Sequence, residues 1–163
     1  MRRGVFVAQA SAEVPVTARQ VAKRSVLVWL MSATSDVFLG KARKSLAGAA
    51  SELTDGRYNN AANRRYYACF QAALAARERA GIRPPGGSGT RGHAFVQAQF
   101  VGQLINRRKV YPPGLRDALA QTALLRELAD YKITPVSHVQ ATRAVGRARA
   151  LVTAVAAQGG TSA

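Results

Sequence analysis

The chain has 163 residues, enough for one domain of ordinary size, and its 48% hydrophobic content excludes a chain that stays unfolded for want of a core. Lys and Arg number 24 against 8 Asp and Glu, a formal charge of +16 that favours polyanionic partners: RNA, DNA or an acidic protein. The single cysteine, Cys69, excludes an internal disulfide and suits a reducing cytoplasm; two histidines and few carboxylates do not make a metal-ligand set, so neither metal nor cofactor is expected.

In chain order, residues 1–34 show no sustained helical period and read as a poorly ordered extension. Their apolar run "VLVWLMSA" is too short to span a membrane. Lys23 and Arg24 precede it as in a secretory signal, but no A-x-A site follows, and Met31 offers an alternative start leading straight into a helix. Five segments with helical spacing come next. The first, residues 35–54, takes Thr34 or Ser35 as its cap and Asp36 in its first turn, aligns Phe38, Ala42, Ala49 and Leu53, and stops at Asp55-Gly56. The second, 57–80, ends at Gly81, and "RPPGGSGTRG", 83–92, is a flexible loop. A third, 92–107, carries Val96, Phe100 and Leu104 and finishes in Arg107, Arg108 and Lys109, cations that suit the negative end of a helix. After "YPPG" the fourth, 113–131, uses Leu115, Leu119, Leu125 and Leu128. The fifth, 137–157, opens on a Ser137/Gln140 capping box and runs through Val145, Leu151, Val152 and Val155, leaving 158–163 as a disordered tail. Without strand alternation or a repeat, the fold class is all-α, an up-and-down bundle of about five helices occupying 35–157.

Within the second helix, "NRRYYACF" (63–70) sets two arginines beside two tyrosines. At about 100° per residue, Asn63, Tyr66, Tyr67, Phe70 and Leu74 share one face, which places both tyrosines in the core. The opposite face holds Ala61, Ala68, Ala72 and Ala76, small enough for another helix to approach, so this helix is sandwiched. Arg64 lies beside the tyrosine stripe with Asp130 as a candidate partner, either in a structural salt bridge or in a site. Arg65 lies near the alanine face, where it must reach solvent or meet a partner chain. Cys69 reads as a small buried hydrophobe.

Three segments in order, "FLGKARKSLAGAASELTDGRYNNAANRRYYACFQAALAARERAGI", "GHAFVQAQFVGQLINRRKVYPPGLRDAL" and "LRELADY", resemble the HEPN domain family in its small stand-alone prokaryotic branch, over residues 36–157. The resemblance implies a helical bundle that dimerises around a basic cleft and serves as the toxin-like partner of a minimal nucleotidyltransferase antitoxin. It also implies that many relatives cut RNA without a metal, using an Arg followed after four to six residues by a His. The motif Arg matches Arg126, but Tyr131, Lys132 and Ile133 stand where the His belongs, and His138 lies too far along, past Pro135. Asp130, one turn beyond Arg126, is placed to neutralise it. Ribonuclease chemistry would then need a proton carrier from elsewhere, and His93 and Tyr131 are the candidates. His93, at the start of the third helix and facing Val96 and Phe100, is either a structural residue or that carrier.

The expected catalytic set is therefore Arg126, Asp130, Tyr131 and His93, and the expected nucleic-acid or nucleotide contacts are Arg64, Arg107, Arg108, Lys109, Arg143 and Arg147. The reading is a cytoplasmic homodimer that binds RNA or a nucleotide in a basic cleft beside a nucleotidyltransferase-type partner. An active metal-independent ribonuclease toxin and a non-catalytic dimeric scaffold are the alternatives.

Overall fold

No proline occurs between residues 18 and 54, and one helix, α1 (Ala18–Thr54), runs through the whole stretch, about 55 Å long at 1.5 Å per residue. The computed structural model describes residues 18–83 and 92–159. The expected start at residue 35 is thus corrected: residues 18–34 are helical, although every residue from 21 to 30 is exposed. A helix with no buried face needs no apolar stripe, only residues that tolerate the conformation, so periodicity cannot reveal it. Neither expected cap is one. Thr34 bonds back to the Leu30 carbonyl, and Ser35 sits buried in mid-helix, its hydroxyl donating to the Ala75 carbonyl at 2.9 Å. The expectations for residues 1–17, and for most of the 83–92 loop and of the tail, lie outside the described residues.

The turn after α1 forms where expected. Gly56 adopts φ 72, the left-handed region in which a side chain costs about 1 kcal/mol, and this lets Arg57 N–H reach back to the Glu52 carbonyl at 2.8 Å. From there α2 (Tyr58–Arg79) threads the centre of the molecule, packing on α1 and on all the later helices. Ala61, Ala68, Ala72 and Ala76 are fully or almost fully buried, as a sandwiched helix requires. Cys69 lies among them, its thiol pushed up to about 12 by burial, which leaves it an inert apolar filler at neutral pH.

Helix α3 (His93–Gln99) continues without a break as π-type turns over Phe100–Arg107, still burying Val96, Phe100 and Leu104. The stretch ends as Arg108 N–H bonds five residues back to Gln103, after which Lys109 turns left-handed at φ 51 and Val110 and Tyr111 N–H close on Leu104. The two prolines of "YPPG" hold Pro113–Leu115 in a single 3-10 turn, so α4 (Ala118–Tyr131) starts later than the expected residue 113. Leu115 and Leu119 join the main core, and Leu125 and Leu128 pack in a smaller cluster around Ala62, Val136 and Ala141. Finally α5 (His138–Ala157) opens on the expected box, Ser137 accepting from Gln140 N–H while the Gln140 side chain accepts from Ser137 N–H. The fold is all-α, with five α-helices and no strand among the described residues. No described helix is long and apolar enough to cross a membrane.

Candidate functional site

Two helical registers build the site. On α4, Ala123, Arg126, Glu127 and Asp130 recur at i, i+3, i+4 and i+7 and so present one face, with Tyr131 at the helix end. On α2, Asn63, Tyr66 and Tyr67 face them, and a cleft of about 230 Å³ opens over Tyr66, Arg126, Asp130 and Tyr131.

Arg126 is the centre of this arrangement. Its guanidinium carbon stands 4.8 Å from the centre of the Tyr66 ring and 5.2 Å from that of Tyr67, and its Nε faces Asp130 Oδ2 at 3.3 Å. Burial pulls the guanidinium pKa down, but Tyr67, Asp130 and Tyr66 together outweigh it and raise the value, so the charge is permanent. The other carboxylate oxygen of Asp130 accepts from Asn63 Nδ2 at 2.7 Å, which fixes the acid that fixes the arginine.

The tyrosines are not equivalent. Tyr66 is 4% exposed, but Tyr67 is 41% exposed, which corrects the expectation that both are core. Two residues one position apart diverge by about 100° around the helix, and only Tyr66 keeps its ring under neighbouring elements. The Tyr66 hydroxyl meets His93 Nδ1 in a hydrogen bond, and the His93 ring also lies 4.4 Å from Phe70. Burial, and then the charge of Arg126, lower the His93 pKa, so the neutral ring is favoured; in that form Nδ1 accepts from Tyr66 and Nε2 carries the proton. Burial raises the Tyr66 pKa against the opposing pull of Arg126, so Tyr66 stays a protonated donor near neutral pH.

Of the residues expected to be catalytic, Arg126, Asp130 and His93 are thus linked in one network, and Tyr131, 79% exposed, stands at its rim. Two members carry no functional expectation from the sequence: Tyr66, expected in the core, and Asn63, expected on the same helix face. The signal for Tyr66 was chemical: a buried tyrosine usually finds a hydrogen-bond partner for its hydroxyl.

The basic residues do not gather in one place. Arg64 is exposed and lies over Gly48 of α1; Asp130, its expected partner, is taken by Arg126 and Asn63. Arg107, Arg108 and Lys109 are exposed beyond the far end of α2, where Arg108 donates to the Ala80 carbonyl at 2.8 Å. That carbonyl is fourteen residues past Tyr66, about 21 Å along the helix. Arg143 and Arg147 border a different cleft, together with Arg65. Arg65 neither reaches solvent nor needs a partner chain to cover it: it is 1% exposed within the monomer.

A family model of the HEPN domain matches residues 35–158, most of the chain. The chain belongs to the HEPN domain family. Its start coincides with Ser35, the residue that ties α1 to α2, and it takes in every residue of the arginine–tyrosine network. Among curated proteins none matches the chain. In this HEPN domain the histidine joined to the Arg126 network is His93, from the start of α3, whereas His138 packs edge-on against Tyr58 at 5.5 Å.

Proposed function

We propose that this HEPN protein binds RNA with a backbone phosphate in the cleft at Arg126. The observation that carries the reading is the fixed presentation of Arg126, held by Asp130 below a tyrosine pair and open to solvent on the cleft side. Exposed Tyr67 offers a face on which a base can stack, and Arg64, one turn before it on α2, offers a second phosphate contact. The net charge of +16 draws the polyanion in. The family resemblance adds a homodimer and a nucleotidyltransferase-type antitoxin to this reading, with the protein as the toxin-like partner in the cytoplasm.

A second reading, cleavage of the bound RNA, is favoured by the Tyr66–His93 hydrogen bond. In metal-independent cleavage the ribose 2′-oxygen attacks the adjacent phosphorus, its proton is taken up, and the departing 5′-oxygen receives one. Arg126 faces the charge of the phosphorane, and the Tyr66 hydroxyl, backed by His93 Nδ1, is the group placed to pass a proton. On this reading the pair stands in for the histidine that the resemblance implies at Tyr131, Lys132 or Ile133.

One experiment separates the readings: purified protein with RNA in EDTA, beside Arg126→Ala and His93→Gln. Binding weakened about tenfold in Arg126→Ala supports the site. Cleavage that both variants abolish supports the ribonuclease, whereas binding without cleavage leaves the RNA-binding reading alone. RNA binding equal in Arg126→Ala and the unaltered protein refutes both.

A further inference from the structure

On α4, Leu124, Leu125 and Leu128 point almost opposite to Arg126 and Asp130, and on that side a separate cleft of about 390 Å³ opens between α4, α2 and α5. Its charged lining is one-sided. Arg65 from α2 and Arg143 and Arg147, one turn apart on α5, contribute three guanidinium groups, and no Asp or Glu lines it.

Arg65 is the unusual member. Its side chain is 1% exposed, its Nη2 donates to the Thr122 carbonyl at 3.4 Å, and its Nε has no hydrogen-bond partner among the described residues. No carboxylate pairs with it among the described residues. Burial holds its pKa down at about 10, Cys69 acting against that shift and the like charge of Arg147 acting with it. A buried cation without a counter-charge costs several kcal/mol, and an apolar side chain of the same length would pack there at no such cost. The place for the missing negative charge is the cleft whose inner wall Arg65 forms. The volume lies at the small end of the range for small-molecule sites, about 300–1,000 Å³. The leucine wall excludes a ligand that is charged throughout.

We propose that this cleft binds a small organic phosphate, its phosphate group against Arg65, Arg143 and Arg147 and its apolar body on Leu124, Leu125 and Leu128. Three guanidinium groups match the three free oxygens of a phosphate monoester dianion better than the two of a carboxylate. The site is distinct from the Arg126 cleft, which lies on the other face of α4.

The test is calorimetric titration of the full chain with phenyl phosphate, inorganic phosphate and benzoate. Phenyl phosphate is expected to bind at least about tenfold more tightly than either of the others. Arg65→Met is expected to lose that binding while melting no lower than the unaltered protein, because it removes a buried unpaired charge. Arg143→Gln/Arg147→Gln, which alters only exposed side chains, is expected to weaken it by about tenfold or more and keeps the test decisive if Arg65→Met fails to fold. No binding of phenyl phosphate at millimolar concentration overturns the proposal. So does benzoate or inorganic phosphate binding as tightly, or phenyl phosphate binding retained in the Arg143/Arg147 variant. Binding lost in Arg126→Ala and kept in Arg65→Met would put the ligand in the other cleft and likewise overturn it.

Discussion

Tyr66 shows how one side chain serves both core and site. Its ring is buried against Phe70 and under Arg126, while its hydroxyl reaches His93, twenty-seven residues on in sequence. Helical spacing correctly assigns such a ring to the interior but says nothing about where its oxygen ends. The family resemblance drew attention to Arg126, Asp130, Tyr131 and His93; the linkage of Arg126, Asp130 and His93 through Tyr66 and Asn63 is visible only in the fold. The network has a consequence for stability. Its surroundings lower the His93 pKa below the ordinary 6.5, so the native state holds this ring neutral while the unfolded chain takes up a proton first. The contribution is complete above pH 6.5 and is lost as pH falls through the lowered native value. Thermal melts between neutral and mildly acid pH should therefore fall less steeply for His93→Gln than for the unaltered protein. Parallel curves would remove His93 from this role.

At the scale of elements, short local signals mark the helix ends. Gly56 and Gly81, both with positive φ, end α1 and α2, and the Ser137/Gln140 box starts α5, because each signal is complete within a few residues. Ser137→Ala removes the acceptor for Gln140 N–H and should cost about 1 kcal/mol, typical of a lost N-cap, measured by urea unfolding. An unchanged midpoint would mean that water replaces the cap at no cost. Where the helices depart from those signals, the causes are equally local. The Thr34-Ser35 pair reads as a cap by residue type, but Ser35 is consumed by the Ala75 carbonyl in the packed interface between α1 and α2. The π-type turns over Phe100–Arg107 keep the same residues buried as an α-helix would, so the apolar pattern does not announce them.

For the molecule as a whole, α1 divides into an exposed first part and a part packed in the bundle. Residues 21–30 are all exposed, and Met31, at the boundary, comes within reach of Gly81. A chain started at Met31 should lose helical circular dichroism yet shift Tm by less than about 3 °C, the change that roughly 1 kcal/mol makes in a chain of this size. A larger drop would show that the upstream turns are packed.

The sequence by itself determined the fold class, the helix ends marked by Gly56, Gly81 and Ser137, the central place of the alanine-faced α2 and the excess of positive charge, since each is written in composition or in residues one to four apart. Only the tertiary structure decided that Asn63 and not Arg64 reaches Asp130 from α2, that His93 meets Tyr66, and that Arg65 ends inside the molecule beside a cleft of its own. Those outcomes depend on how α2, α3, α4 and α5 pack. A one-position difference around a helix, such as that between Arg64 and Arg65, turns a side chain by about 100° and so decides between solvent and interior.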